Sequence, residues 1–130
     1  ILLGTKKHME KALRIRKLFG GAMRQAGYLA AAGIYALDYH IERLAEDHAK
    51  AKKIEAVLAS CAFIERVEPV ETNIVIFYTK DSINDVDFVN QMKEKNIHFI
   101  SMGDGKLRMV THLDFTNEML AVLIKELQSF

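Results

Sequence analysis

Three basic side chains lie where they could bind an anion. Lys17 ends a basic stretch before the pair Gly20-Gly21, and Arg24 follows that pair where a second helix is predicted to begin. The first amides of a helix lack internal partners, so a helix N-terminus attracts negative charge. Arg24 would add planar donors suited to phosphate or carboxylate. Arg108, the third candidate, lies on a predicted strand among apolar residues.

A structural interpretation explains the same residues. The pair Gly20-Gly21 would end a helix, and Lys17 would complement the dipole of that helix. Arg108 would be an ordinary surface residue of a strand. Asn73, just before another predicted strand, would satisfy backbone groups at the strand end. Spacing alone leaves both interpretations open.

Periodicity predicts the elements that carry these residues. Helices are predicted over about 5–17, 24–37, 38–60, 84–95 and 116–128, where the third opens at Asp38 or Tyr39 and the fourth at Ser82 or Asn84. Strands are predicted over 73–79, 97–102 and 107–112, with one more extended segment before Pro69. A hairpin turn is expected at Gly103-Asp104-Gly105. After residue 38 the order is helix, strand, strand, helix, strand, strand, helix. This order predicts an α+β fold in which helices cover one side of a small antiparallel sheet.

The predicted helix 24–37 is apolar on every side, so it must be buried on every side and needs partners from outside this chain. We therefore expect residues 1–38 to be the tail of a larger domain and residues 39–130 to form a small domain. On the helix 38–60, Asp47 and Lys50 are expected on a solvated face. On the last helix, Met119 is expected to face inward with four other apolar residues.

The composition of the chain bears on several classes of function. The chain has 18 Lys and Arg against 17 Asp and Glu, so no overall field favours nucleic acid or membranes. Residues 1–24 hold seven bases and one acid, which leaves an RNA-binding α+β module as an alternative. Cys61 is the single cysteine, so no internal disulfide forms and a reducing, cytoplasmic compartment is expected. The histidine spacing predicts no metal site.

Two segments carry a family resemblance. Met23-Arg24-Gln25-Ala26-Gly27, continued by Ala30-Ala31-Ala32-Gly33-Ile34-Tyr35-Ala36-Leu37, and Arg108-Met109-Val110-Thr111-His112-Leu113-Asp114 resemble the corresponding segments of the threonine aldolases. The resemblance spans essentially the whole chain, is strongest at 14–37 and 107–114, and is weak over 60–100.

The resemblance implies a fold-type-I pyridoxal 5'-phosphate enzyme. This chain would contain the last helices of the large α/β domain and all of the C-terminal small domain. The family's Schiff-base lysine lies just upstream of an Ile-Leu-Leu-Gly-like strand, and no lysine of this chain matches it. We therefore expect no catalytic residue here and no activity from the fragment alone. The expected partners are the missing N-terminal large domain, absent or carried by a separate cleaved chain, and further copies, as a dimer of dimers.

The resemblance also implies an activity and roles for the basic residues. The complete enzyme would cleave L-threonine or L-allo-threonine to glycine and acetaldehyde, by retro-aldol breakage of the Cα–Cβ bond of a cofactor-bound substrate. Arg108 would bind the α-carboxylate of this small amino-acid substrate through two parallel hydrogen bonds. Arg24 and Lys17 would contact the cofactor. Asn73 would have a distant supporting role. Another fold-type-I lyase or an aminotransferase is the alternative, because fold does not fix chemistry.

Overall fold

Residues 2–130 are described by a computed structural model, in which the chain divides into unit 1, ending at Glu42, and unit 2, Arg43–Phe130. Unit 1 holds α1 (Lys6–Leu18) and α2 (Gly27–Tyr39). The elements of unit 2 are α3 (Leu44–Ser60), β1 (Ile64–Val67), β2 (Ile74–Thr79), α4 (Asp85–Glu94), β3 (Ile100–Gly103), β4 (Lys106–Val110) and α5 (Asn117–Gln128). Their order is the one that the sequence predicts.

The glycine pair ends α1. Gly20 has a φ of +75°, a left-handed conformation that glycine adopts without steric cost. The Gly21 N–H donates to the Arg16 carbonyl at 2.8 Å, and the Gly20 N–H donates to the Lys17 carbonyl at 3.1 Å. These two bonds form a Schellman motif, which satisfies carbonyls that the helix leaves free. The structural interpretation of the glycine pair is therefore confirmed.

Two helix boundaries differ from the predicted ones. The second helix begins at Gly27 rather than Arg24, because Gln25 has a φ of +51° and residues 24–26 form a turn. The same helix continues to Tyr39, so the expected start of the next helix at Asp38 or Tyr39 is wrong, and α3 begins at Leu44. A break at 40–43 separates it from α3. No glycine or proline marks this break, and the apolar spacing runs through it unchanged.

The four strands form one antiparallel sheet in the order β1-β2-β4-β3. Alternate residues of the central strands are buried, among them Val75 and Phe77 on β2 and Leu107 and Met109 on β4. They pack with buried residues of the helices, which are Ala51, Ile54, Leu58, Phe88, Met92, Leu120, Leu123 and Leu127. The predicted α+β fold, a small antiparallel sheet covered by helices, is confirmed.

A group of phenylalanines joins the helices to the sheet. The Phe88 ring lies 5.6 Å from that of Phe99 and 4.7 Å from that of Phe130, between ring centroids. Phe77, fully buried on β2, lies 6.2 Å from Phe99. Aromatic pairs at these separations add to the free energy gained from burial alone. This cluster fixes α4 and the C-terminal residue against the inner face of the sheet.

Two side chains of α3 and one of α5 lie on faces that the sequence does not predict. Asp47 is 2% exposed and Lys50 is 8% exposed, so the expectation of a solvated face is wrong there. Arg43 pairs with both carboxylate oxygens of Asp47 at 3.0 Å, and Lys50 donates to the carbonyl of Phe115. Burial of a charge is tolerated when it is paired in this way. Met119 is half exposed, because the inward stripe of α5 is formed by its leucines.

Candidate functional site

Arg108 lies in the middle of the sheet, on the face opposite to the core. It is paired with Ile76 of β2 on one side and with Ile100 of β3 on the other. Its neighbours along β4, Leu107 and Met109, are buried against the helices. Successive side chains of a strand point to opposite faces, so the guanidinium belongs to the outer face.

The Nε atom of Arg108 is buried and has no hydrogen-bond partner among residues 2–130. Buried N–H groups in folded proteins nearly always have an acceptor, and each exception calls for an explanation. A carboxylate placed beside this guanidinium would supply the missing acceptor and would accept two parallel bonds from the planar fork. The role of Arg108 in binding a carboxylate stays a prediction.

A charged cluster surrounds Tyr78 on the same face. The Arg66 guanidinium carbon lies 3.5 Å from the Tyr78 ring centroid, and the Lys106 amine lies 5.6 Å from it. The Tyr78 hydroxyl donates to Glu68 Oε1 at 2.8 Å, and both cations lie 3.9 Å from that oxygen. One carboxylate thus faces two cations. Sequence reasoning missed this cluster, although strand alternation places Lys106 on the face of Arg108.

Asn73 lies at the end of β2, as expected, and bonds to the neighbouring strand. Its Nδ2 group donates to the Thr111 carbonyl at 2.7 Å, and its own carbonyl accepts from the Thr111 N–H at 2.9 Å. The interpretation of Asn73 as a side chain that satisfies backbone at a strand end is confirmed.

A cavity of about 470 Å³ opens beside the end of β4. It lies between residues 95–99, the end of β4 and the first turns of α5, with Ile54 and Leu123 among its lining residues. The sequence predicts a strand over 97–102, but β3 begins only at Ile100. Residues 97–99 therefore separate from β4 and leave this space.

The two other predicted site residues belong to unit 1. Lys17 lies in the last turn of α1, and Arg24 lies in the turn before α2. Both side chains are exposed. Their contact with a cofactor stays a prediction.

Cys61 has the surroundings of an unreactive thiol. Burial raises its pKa, and its S–H group donates to the Val57 carbonyl at 3.3 Å. A raised pKa lowers the thiolate fraction, and the thiolate is the nucleophilic form. Among the described residues, no group of three His, Cys, Asp or Glu side chains could hold a metal ion. None of the helices over 2–130 is both long and apolar enough to span a membrane.

Comparison of solved structures supports the fold. A complex of the cystine C-S lyase C-DES with its reaction product cysteine persulfide matches with a TM-score of 0.62 at 17% identity, covering 81% of this chain and 29% of that one. A C-DES variant with glycine covalently linked to its pyridoxal phosphate cofactor matches with a TM-score of 0.58 at 18% identity, covering 81% of this chain and 28% of that one. The histidinol-phosphate aminotransferase from Clostridium acetobutylicum matches with a TM-score of 0.52 at 16% identity, covering 62% of this chain and 25% of that one.

Sequence comparison identifies the relatives. The low specificity L-threonine aldolase of Escherichia coli K12 is 35% identical over 130 residues, which is 100% of this chain and 38% of that protein. The low-specificity L-threonine aldolase 1 of Arabidopsis thaliana is 32% identical over 119 residues, 89% of this chain and 33% of that protein. The chain thus spans about a third of the length of these relatives. The family model of the beta-eliminating lyases matches residues 1–82, and the chain belongs to the beta-eliminating lyase family.

Proposed function

We propose that this chain is the C-terminal part of an aldolase that depends on pyridoxal 5'-phosphate and cleaves L-threonine or L-allo-threonine to glycine and acetaldehyde. The identity of 35% with an L-threonine aldolase along the whole chain supports the activity. The observation that carries the proposal is the buried Nε–H of Arg108, which has no hydrogen-bond partner among residues 2–130. An amino-acid substrate brings the carboxylate that this group requires.

Arg108 is proposed to bind the α-carboxylate of the substrate. Its planar fork fixes both carboxylate oxygens, whereas a lysine at the same place would supply a point charge. Fixing the carboxylate sets the rotation of the amino acid about its Cα–N bond. The Cα–Cβ bond is thereby held in the orientation in which it breaks. Binding in one reactive orientation lowers the barrier without any covalent role for the arginine.

The cofactor is proposed by analogy with the C-DES structure that holds it. When bound, pyridoxal phosphate supplies an electron sink for the charge that develops at Cα. Arg24 and Lys17 are the residues of this chain proposed to complement its phosphate region. The lysine that holds the cofactor is proposed to lie outside this chain, which would leave residues 1–130 inactive by themselves.

The exposed side chains of unit 1 support a proposal about partners. Its α2 carries large apolar residues such as Tyr28, 82% exposed, and Leu29, 63% exposed. Exposed apolar area of this extent is typical of a surface that another structure covers. We propose that residues 1–38 complete a large domain, that residues 39–130 are the small domain, and that the protein forms a dimer of dimers. The single cysteine agrees with a reducing, cytoplasmic setting.

The test uses a longer protein that contains this chain and its upstream sequence. Loaded with pyridoxal phosphate, it should release glycine from L-threonine or L-allo-threonine. The substitution Arg108→Lys should raise KM for the amino acid by roughly tenfold or more, because the bidentate contact is lost. Arg66→Lys makes the same replacement on β1, which β2 separates from β4, and should leave KM unchanged. Equal KM values for the native protein and Arg108→Lys would overturn the role of Arg108.

A second candidate is another lyase or an aminotransferase, favoured by the structural likeness to C-DES and to the histidinol-phosphate enzyme. The products separate these reactions. A 2-oxo acid from the amino-acid substrate indicates elimination or transamination, whereas an aldehyde formed in equal amount with glycine indicates the aldolase.

A further inference from the structure

We propose that Thr111 and Asn73 are positioning residues for Arg108, acting through the end of β4 rather than by contact with the substrate. This inference rests on the proposed role of Arg108 in binding a carboxylate. It assigns to two residues of the strand ends a function in substrate recognition.

Arg108 is the last residue of β4 that is paired with a strand on both sides. The pairing of β3 with β4 runs from Gly103↔Lys106 to Ile100↔Arg108. In the described residues, no ladder pair joins 97–99 to β4. Beyond Arg108 the strand therefore has a ladder on one side alone, with β2, where the last pair is Ile74↔Val110.

The cavity also reduces the packing of the end of β4. It is lined by Met109, Val110 and Thr111, the three residues that follow Arg108. Side chains that border a cavity lose packing partners on that side. A strand end with one paired edge and a cavity beneath it opens more easily than a fully packed strand.

The contacts of Thr111 replace this support. Its backbone N–H and C=O bond to the carbonyl and the side-chain amide of Asn73, at 2.9 and 2.7 Å. The Thr111 hydroxyl donates to the Asp47 carbonyl of α3 at 2.7 Å, and Thr111 is 1% exposed. The Arg43 guanidinium in turn holds the Asp47 carboxylate through two bonds of 3.0 Å. One residue thus fixes the end of β4 to both β2 and α3.

Arg108 depends on these contacts of Thr111 because they hold the backbone from which its side chain extends. Its Nε–H has no partner within residues 2–130, so no hydrogen bond from Nε fixes the plane of the guanidinium before the carboxylate binds. The direction of the side chain is set by the backbone of β4. Loosening of that backbone three residues away would widen the range of directions and weaken the bidentate contact.

The experiment compares glycine with methylamine, which is glycine without its carboxylate. Dissociation constants of both are measured from the cofactor absorption of the longer protein loaded with pyridoxal phosphate. The ratio of the two constants reports the carboxylate contact alone. Thr111→Val removes the hydroxyl and keeps the branched shape, and it should lower the preference for glycine by roughly tenfold. Thr111→Ser retains the hydroxyl and should restore the preference.

Two further variants make the result decisive. Thr79→Val makes the same change at another buried threonine, on β2, and should leave the preference unchanged. Asn73→Asp removes the N–H donor and keeps the shape of the side chain. It should also lower the preference for glycine over methylamine, and it replaces Thr111→Val as the test if that variant does not fold. Equal loss of affinity for glycine and methylamine, or an unchanged preference while Arg108→Lys loses it, would overturn the positioning role. An unchanged preference in Arg108→Lys itself would instead overturn the proposed function of Arg108.

Discussion

The helices α2 and α5 are both rich in apolar residues, but only α5 buries them. In α5 the residues Leu120, Leu123 and Leu127 form one stripe, and all three are buried against unit 2. In α2 apolar residues lie on every side, and among its residues none is buried. A helix with one apolar stripe is satisfied by one partner surface, whereas a helix that is apolar all round needs several. Hydrophobicity alone therefore does not predict burial within a given chain.

The same contrast holds for charged residues. Unit 2 buries Asp47 and Lys50, each with a hydrogen-bond partner. The Asp47 carboxylate accepts from Arg43 at the start of α3, and the Lys50 amine joins α3 to the segment after β4 by donating to the Phe115 carbonyl. In unit 1 the basic residues Lys17 and Arg24 are exposed. Unit 2 therefore buries both its apolar and its charged residues, whereas the helices of unit 1 bury none of theirs.

The largest effect is expected in the core of unit 2. Phe77→Ala should lower the free energy of unfolding of the 130-residue chain by about 3–5 kcal/mol, because it removes a fully buried ring. Urea denaturation followed by circular dichroism measures this change. Phe19→Ala makes the same substitution at a residue that is 87% exposed and should cost less than about 0.5 kcal/mol. Similar losses in the two variants would contradict the contrast between the units.

Much of unit 2 follows from local pattern. The β-branched and aromatic run of β2 predicts a strand, and the spacing of the leucines predicts α5 together with its Thr116 cap, whose hydroxyl accepts from the Met119 N–H. The break at 40–43 has no such signal. Burial of Lys50 depends on a carbonyl 65 residues away in sequence, so local periodicity assigns it to solvent.

In the candidate site as well, one part follows from local pattern and another part does not. The sequence pattern predicts Arg108 on a strand, and its role comes from the resemblance to the threonine aldolases alone. Its two cross-strand neighbours, Ile76 and Ile100, depend on strand register, which the sequence pattern did not specify. Local pattern does not predict that strand pairing ends at Ile100, because residues 97–99 have apolar side chains at strand spacing and yet do not join the ladder.

The next largest effect is expected for the buried ion pair. Asp47→Asn removes the charge that Arg43 binds and leaves a guanidinium with a weaker acceptor, which should cost about 1–3 kcal/mol of unfolding free energy. Glu46→Gln changes the adjacent, exposed carboxylate in the same way and should cost less than about 0.5 kcal/mol. The comparison is made by urea denaturation at neutral pH. A loss in Asp47→Asn no greater than that in Glu46→Gln would show that the pair is not part of the core.

A smaller, pH-dependent effect is expected at Glu55. The Val70 N–H, 2.8 Å from Glu55 Oε1, and then Lys52 hold the pKa of this carboxyl below its ordinary value of 4.5. Because the folded pKa is the lower one, the stabilisation is fully present above the unfolded pKa and disappears as pH falls through the folded pKa. Glu55→Gln should therefore be less stable than the native chain at pH 7, by at most about 1 kcal/mol.

The measurement at Glu55 is a series of urea midpoints from neutral to acid pH. The difference between the native chain and Glu55→Gln should shrink below the ordinary carboxyl pKa, once the native carboxyl is protonated. Glu65→Gln, an exposed glutamate of β1, is the matched control. A difference that stays constant at acid pH would show that the charge of Glu55 does not contribute.

The smallest effect within this chain is expected on α2. Leu29→Ala should change the unfolding free energy of residues 1–130 by less than about 0.5 kcal/mol, because the side chain is largely exposed and alanine favours helix slightly more than leucine. The same substitution at Leu123 of α5, which is buried, should cost about 2–5 kcal/mol. In the longer protein, where we propose that α2 is covered, Leu29→Ala should instead approach the cost of Leu123→Ala. If its cost stays near zero there as well, α2 remains exposed in the complete protein and the proposed partner surface of unit 1 is wrong.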